Sequence, residues 1–146
     1  MMSNVKFIVI VAVLFILGML YYSFQDSLPP RTPRKIARNI SGLPLTNDYN
    51  VLSFDEEWNN FNGDGSLQIE IEVKNEQLSG LIKECNLRGY RSLPIINPPP
   101  ELDGALFLRD VEGLYNLRIY DKDGAAFDLV ILDKKSKKLM IYVFVS

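Results

Sequence analysis

Polar and apolar residues alternate cleanly over SLQIEIEVK, Ser66 to Lys74. Leu67, Ile69, Ile71 and Val73 fall on one side; Ser66, Gln68, Glu70, Glu72 and Lys74 fall on the other. Period two with one wet side predicts a strand of an antiparallel sheet. VLSF, Val51 to Phe54, is its expected partner. The period changes after Asn75, which reads as a helix cap. Leu78, Leu81, Ile82 and Cys85 recur at i, i+3, i+4 and i+7, the stripe of an amphipathic helix, and Gly89 closes it. Four prolines in Ser92 to Gly104 predict an extended connection. Three strands follow: Leu114 to Asp121, Ala126 to Asp133, and LMIYVFVS at the end. The last is apolar on both sides, so it belongs in the middle of the sheet, covered twice. LFLRD, Leu106 to Asp110, is a candidate short extra strand. The fold class is thus α+β: one antiparallel sheet of about five strands in the order ββαβββ, with one or two packed helices.

Ahead of this domain the pattern is different. FIVIVAVLFILGMLYYSF, Phe7 to Phe24, carries no charge. As a helix it would rise about 27 Å, near the hydrocarbon thickness of about 30 Å. Tyr21 and Tyr22 lie where an aromatic belt would sit. The expectation is an N-terminal transmembrane anchor over 1–26, contacting the membrane through Phe7 to Phe24 in a single pass. A cleaved signal is the rival, but a cut after Ser23 would put Tyr21 at −3, where a small residue belongs. Lys6 favours the N-terminus inside, which would leave the C-terminal domain extracytoplasmic; Arg31, Arg34, Lys35 and Arg38 pull the other way.

Residues 27–46 read as a basic stalk. Thr32 followed by Pro33 starts a short helix, Ile36, Ala37 and Ile40 give it an apolar side, and Gly42 ends it. Two readings stand side by side. Arg34, Lys35 and Arg38 could hold anionic lipid headgroups, or the helix could pack on the domain with its charges solvated. Asn39-Ile40-Ser41 is a glycosylation sequon, relevant only in a eukaryotic secretory pathway. The globular domain is assigned to 47–146.

Charge separates these parts. From Val51 onward there are sixteen acidic and eleven basic residues, a net charge of −5. An acidic domain argues against nucleic acid as a partner, because affinity for it comes largely from neutralising phosphates. The chain has no histidine, which removes Ser-His-Asp and Cys-His catalysis and histidine metal ligation. It has one cysteine, Cys85, so it forms no internal disulfide, and the helical stripe points that thiol at the core.

NFNGDGSLQIE, 60–70, begins like a calcium loop, with Asn60, Asn62 and Asp64 at alternate positions and then Gly65. Position 12 is Ile71 where a bidentate glutamate is required, and the chain leaves as a strand. A hairpin turn fits better, and so does a turn for Asp121-Lys122-Asp123-Gly124. No metal and no cofactor are expected. Asp55, Glu56 and Glu57 are the only candidate acid–base group, and an exposed strand end is their simpler explanation. Trp58 and Phe61 beside them are expected in the core, with an aromatic contact patch as the alternative.

GLPL, NGDGSLQIEIEV, the helix running into CNLRGYRSLPI, and the terminal strands together resemble small bacterial membrane-anchored or lipoprotein-like proteins of unknown function, over about residues 42–146. The lipid-bearing cysteine of lipoprotein relatives is missing. The resemblance implies no activity and no catalytic residues. The functional expectation is a non-catalytic, membrane-anchored binding or accessory module, of which an immunity-type protein is one form. Its acidic surface would suit a basic protein partner, with Glu70, Glu72, Gly80 and Leu87 as the surface to test. The alternatives are a carboxylate hydrolase at the envelope and a protein that binds anionic lipid surfaces.

Overall fold

The structure is a computed structural model. It describes residues 2–24, 31–59, 63–103, 105, 108–121 and 125–146, with side chains from residue 8 onward. Helix α1 spans Met2–Phe24 and α2 spans Pro33–Ser41. Strands β1 (Asn50–Trp58) and β2 (Gly65–Glu72) precede α3 (Asn75–Leu87). Then come β3 (Arg91–Ser92), a 3-10 turn at Pro100–Leu102, β4 (Gly113–Ile119), β5 (Ala126–Asp133) and β6 (Lys138–Val145). The strands form one sheet in the order β1-β2-β6-β5-β4-β3, and every pairing is antiparallel.

The α+β class and the single antiparallel sheet stand, but two parts of the expected fold are corrected. The sheet has six strands, not about five. The additional strand is Arg91–Ser92, which pairs with Tyr115 and Leu114 and is too short for any alternation to show. It is not the LFLRD stretch: Leu108, Arg109 and Asp110 are outside any strand, and residues 106 and 107 are outside the described set. The expected membrane-spanning helix is also overturned. Among the described residues no helix is long and apolar enough to cross a membrane. The described side chains of α1, 8–24, are all exposed. The single-pass placement with an extracytoplasmic domain loses its basis with that span.

Burial on the sheet follows the pleat. Leu67, Ile69, Ile71 and Val73 are buried, as their alternation predicts, and so are Leu139 and Ile141 of β6 and Val130 and Leu132 of β5. The stripe of α3 packs on them through Leu81 and Cys85, with Leu78 and Ile82 at its margins. Lys74, not Asn75, occupies the N-cap place, and its backbone N–H donates to Gln77 Oε1 at 3.0 Å. Helix α2 packs on the same side of the sheet through Ile36 and Ala37, and Leu43 and Leu45 after it belong to the same core.

The end of α2 is tied down from outside. Arg118 donates to the Ile40 carbonyl at 2.7 Å, and the buried Tyr90 hydroxyl donates to the Ser41 carbonyl at 3.0 Å. Gly42, at φ +67°, returns its N–H to the Arg38 carbonyl at 2.8 Å. Carbonyls that a helix end leaves without partners are therefore answered by residues 49 and 78 positions downstream.

The far side of the sheet has its own core of Tyr115, Phe127, Leu129, Ile131, Met140 and Tyr142. Its cover is the proline-rich connection, which lays Leu93, Ile95, Leu102, Leu108 and Val111 over these residues. Helix on one side and an irregular segment on the other thus explain how β6 is apolar on both.

Cys85 is fully buried, and burial pushes its thiol up to about 12. The native chain is expected to resist a thiol reagent at pH 8 and to react stoichiometrically once urea unfolds it, because the thiolate is the reactive form. Labelling of the native chain at the rate of an exposed thiol would contradict this packing.

Candidate functional site

Strand β1 lies at one margin of the sheet, with β2 on one side and, among the described residues, no strand on the other. Alternate backbone N–H and C=O groups of such an edge point outward, free to accept another strand. Its sequence is NVLSFDEEW. Pairing with β2 runs Val51↔Ile71 and then Ser53↔Glu70, so Leu52 is the extra residue of a bulge. The bulge resets the faces. Beyond it Phe54 opposes Ile69, Glu56 opposes Leu67 and Trp58 opposes Gly65, all on the helix side; Asp55 and Glu57 point to the other side, opposite Gln68 and Ser66.

This placement corrects the expectation that Trp58 is core. It is 42% exposed, and the helix-side core takes in Val51 but neither Phe54 nor Trp58. The indole is nonetheless held. Its Nε1 donates to Glu56 Oε1 at 2.7 Å. A Cβ on Gly65 would come within 2.5 Å of Trp58 Cε3 and 2.3 Å of the Glu57 carbonyl, so the absent side chain is what lets the ring lie on the neighbouring strand. That is the physical role of the second glycine in NGDG. The stretch joins β1 to β2 as a hairpin: Asn59 N–H donates to the Asp64 carbonyl at 2.7 Å, and Gly63 N–H donates to the Asn59 carbonyl at 3.0 Å. Asn60, Phe61 and Asn62 lie outside the described residues. Beside the hairpin is an open recess of about 420 Å³ lined by Glu57, Trp58, Asp64, Gly65, Phe144 and Val145.

Asp55, Glu56 and Glu57 are all exposed, and the strand sends Glu56 to one side and its two neighbours to the other. They do not converge on a cleft, as paired acid–base catalysis would need. Among the described residues no group of three or more histidines, cysteines or carboxylates is placed to hold a metal.

The other surface residues are scattered. Glu70 faces the proline-rich side and takes an ion pair from Lys138 at 3.0 Å. Glu72 is exposed and accepts from Asn50 Nδ2 at 3.4 Å. Gly80 and Leu87 are exposed on α3, which covers the opposite side of the sheet; Leu87 is 71% exposed, and nothing lies within 4 Å of a Cβ at Gly80. The sheet therefore separates the two carboxylates from the two helical residues. Arg34 reaches Asn47 Oδ1 at 3.4 Å and Arg38 reaches the Leu45 carbonyl at 3.3 Å, while Lys35 lies half-buried in the first turn of α2 beside the Thr32 cap. Since α2 turns Ile36 and Ala37 into the core, it keeps no apolar side to lay into a lipid surface.

A further cavity of about 450 Å³ lies under the proline-rich connection, walled by Leu93, Leu102, Leu108 and Val111 with Asp103, Arg109 and Glu112. Its lining runs through 103–108, part of which is outside the described residues.

The edge had one legible signal, the acids beside an aromatic. The position of β1 at the margin had none, because strand order depends on contacts far apart in sequence. No family model matches the chain, and no curated protein or solved structure matches it either.

Proposed function

We propose that the chain is a non-catalytic binding module that takes a protein partner along β1. The observation that carries this reading is an exposed, pinned tryptophan on an unpaired strand edge, with Phe54 and Leu52 also exposed along it. Interface energy concentrates in a few aromatic anchors, and an anchor already fixed in place loses little conformational freedom on binding. Among the described residues no other exposed aromatic combines a hydrogen-bonded ring nitrogen with a strand edge, since Trp58 is the single tryptophan of the chain.

Photo-crosslinking tests the surface. A benzophenone amino acid at Leu52 or Ser53 is expected to crosslink a protein partner, whereas the same probe at Leu87 or Gly80 on α3 is not. Trp58→Ala should abolish the crosslink at Leu52 while leaving the far-ultraviolet circular dichroism unchanged, with a loss of about 2 kcal/mol in binding, typical of an anchor residue. Crosslinks confined to α3 would move the site off the edge.

A further inference from the structure

Resting on the binding reading above, we infer that the partner of β1 is an extended segment that adds a strand to the sheet and alternates basic with apolar residues. The register sets this pattern. A strand laid along the open margin of β1 places its side chains alternately on the two sides of the sheet. On one side they would meet Asp55 and Glu57, two residues apart and both exposed. On the other they would meet Phe54 and Trp58, with the Glu56 carboxylate between them and bonded to the indole. Residues opposite Asp55 and Glu57 should be lysine or arginine, since opposite charges facing each other across a strand pair are favourable. Residues opposite Phe54 and Trp58 should be apolar, or a basic residue whose cation lies on the indole face.

The same charges select against a second copy of this chain. Antiparallel pairing of β1 with itself about Glu56 would set Glu56 against its own equivalent and Asp55 against Glu57 of the other copy, and like charges directly opposite are destabilising. In that register the edge is thus closed to itself, while it is open to a basic strand. The recess at its hairpin end continues the design, since Glu57 and Asp64 stand there beside Trp58 and Phe144.

Trp58 gives a local signal because it is the single tryptophan. The full-length chain is titrated with a nine-residue peptide alternating lysine and valine. It is then titrated with the same peptide N-methylated on alternate residues in each of the two phases, and with a glutamate–valine counterpart. The expected result is a saturable shift of Trp58 emission with the lysine peptide, at least tenfold weaker binding for the N-methylated phase that faces β1, and no shift with the glutamate peptide. The double variant Asp55→Asn, Glu57→Gln should weaken the lysine peptide at least tenfold and flatten its salt dependence. Equal binding by both N-methylated peptides would overturn strand addition, leaving only charge attraction. Absence of any shift with the lysine peptide, while a partner still crosslinks at Leu52, would overturn the basic alternating pattern and spare the binding surface. Absence of crosslinks at Leu52 and Ser53 would remove the surface itself.

Discussion

Gly113→Ala is expected to lower the stability of the chain by about 3–5 kcal/mol, a large part of the 5–15 kcal/mol that holds an ordinary domain together. Gly113 opens β4 opposite Asp133, with φ at +156°. A Cβ there would sit 1.9 Å from the Leu132 carbonyl oxygen and 3.1 Å from its carbon, with the Lys134 nitrogen at 3.2 Å. The two Leu132 atoms belong to the backbone of a strand buried along almost its whole length, so relief requires β4 to move away from β5. The carbonyl cannot rotate aside as a side chain would. Urea denaturation followed by circular dichroism should show the midpoint falling with the slope unchanged, the sign of lost stability rather than an altered unfolded state. A loss below about 1 kcal/mol would mean that the β4–β5 pairing relaxes at its end.

What the sequence discloses here depends on how local the cause is. The alternation from Ser66 to Lys74 and the stripe through Leu81 and Cys85 are set by neighbours a few positions apart, and both faces come out as read. The apolar character of β6 on both sides placed it inside the sheet, between β2 and β5. What covers its second side was not legible, because a proline-rich segment has no period to betray a buried face; Leu93, Ile95 and Leu102 simply arrive there. For helix α2 the sequence left packing on the domain and contact with a lipid surface both open, for a similar reason. The groups that anchor it, Tyr90 and Arg118, are far downstream, and no spacing rule connects them to Ile40 and Ser41.

The candidate site shows the same limit on a smaller scale. Straight alternation from Val51 would put Asp55 and Glu57 on the side of Val51. The bulge at Leu52 inserts one residue and reverses that, so Val51 shares the helix side with Phe54 and Trp58 instead. One unpaired residue thus decides which side of the edge is aromatic and which is acidic. The acids were visible as a group, but their meaning depends on their being at the margin of a six-stranded sheet. There the strand sends Glu56 to one side and Asp55 and Glu57 to the other, so the three do not converge as a paired acid–base group would.

Asp133→Ala should cost about 2–4 kcal/mol, because one carboxylate holds the turn between β5 and β6 to the start of β4. Its oxygens accept from the backbone N–H of Glu112 at 3.2 Å, of Lys135 at 3.0 Å and of Ser136 at 3.2 Å, and from the Ser136 hydroxyl. Removing the side chain strands these donors in a half-buried site. Burial works against ionisation of Asp133, but the hydrogen bonds from Ser136, Lys135 and Glu112 outweigh it and hold the carboxyl below its ordinary value. The unfolded carboxyl titrates near about 3.9, so the contribution of Asp133 to stability is complete above that pH and drains away as pH falls through the lower folded value. Denaturation midpoints measured between about pH 6 and pH 3 should therefore fall for the wild type and fall less for Asp133→Asn, which has no charge to lose. Because Glu112 immediately precedes Gly113, the same carboxylate also fixes the approach of β4 at the point where no side chain is tolerated. Asp133→Ala should thus lessen the penalty of Gly113→Ala when the two are combined, since an untethered β4 can step back from Leu132. A double-mutant cycle returning simple additivity would show that the turn and the strand entry act independently.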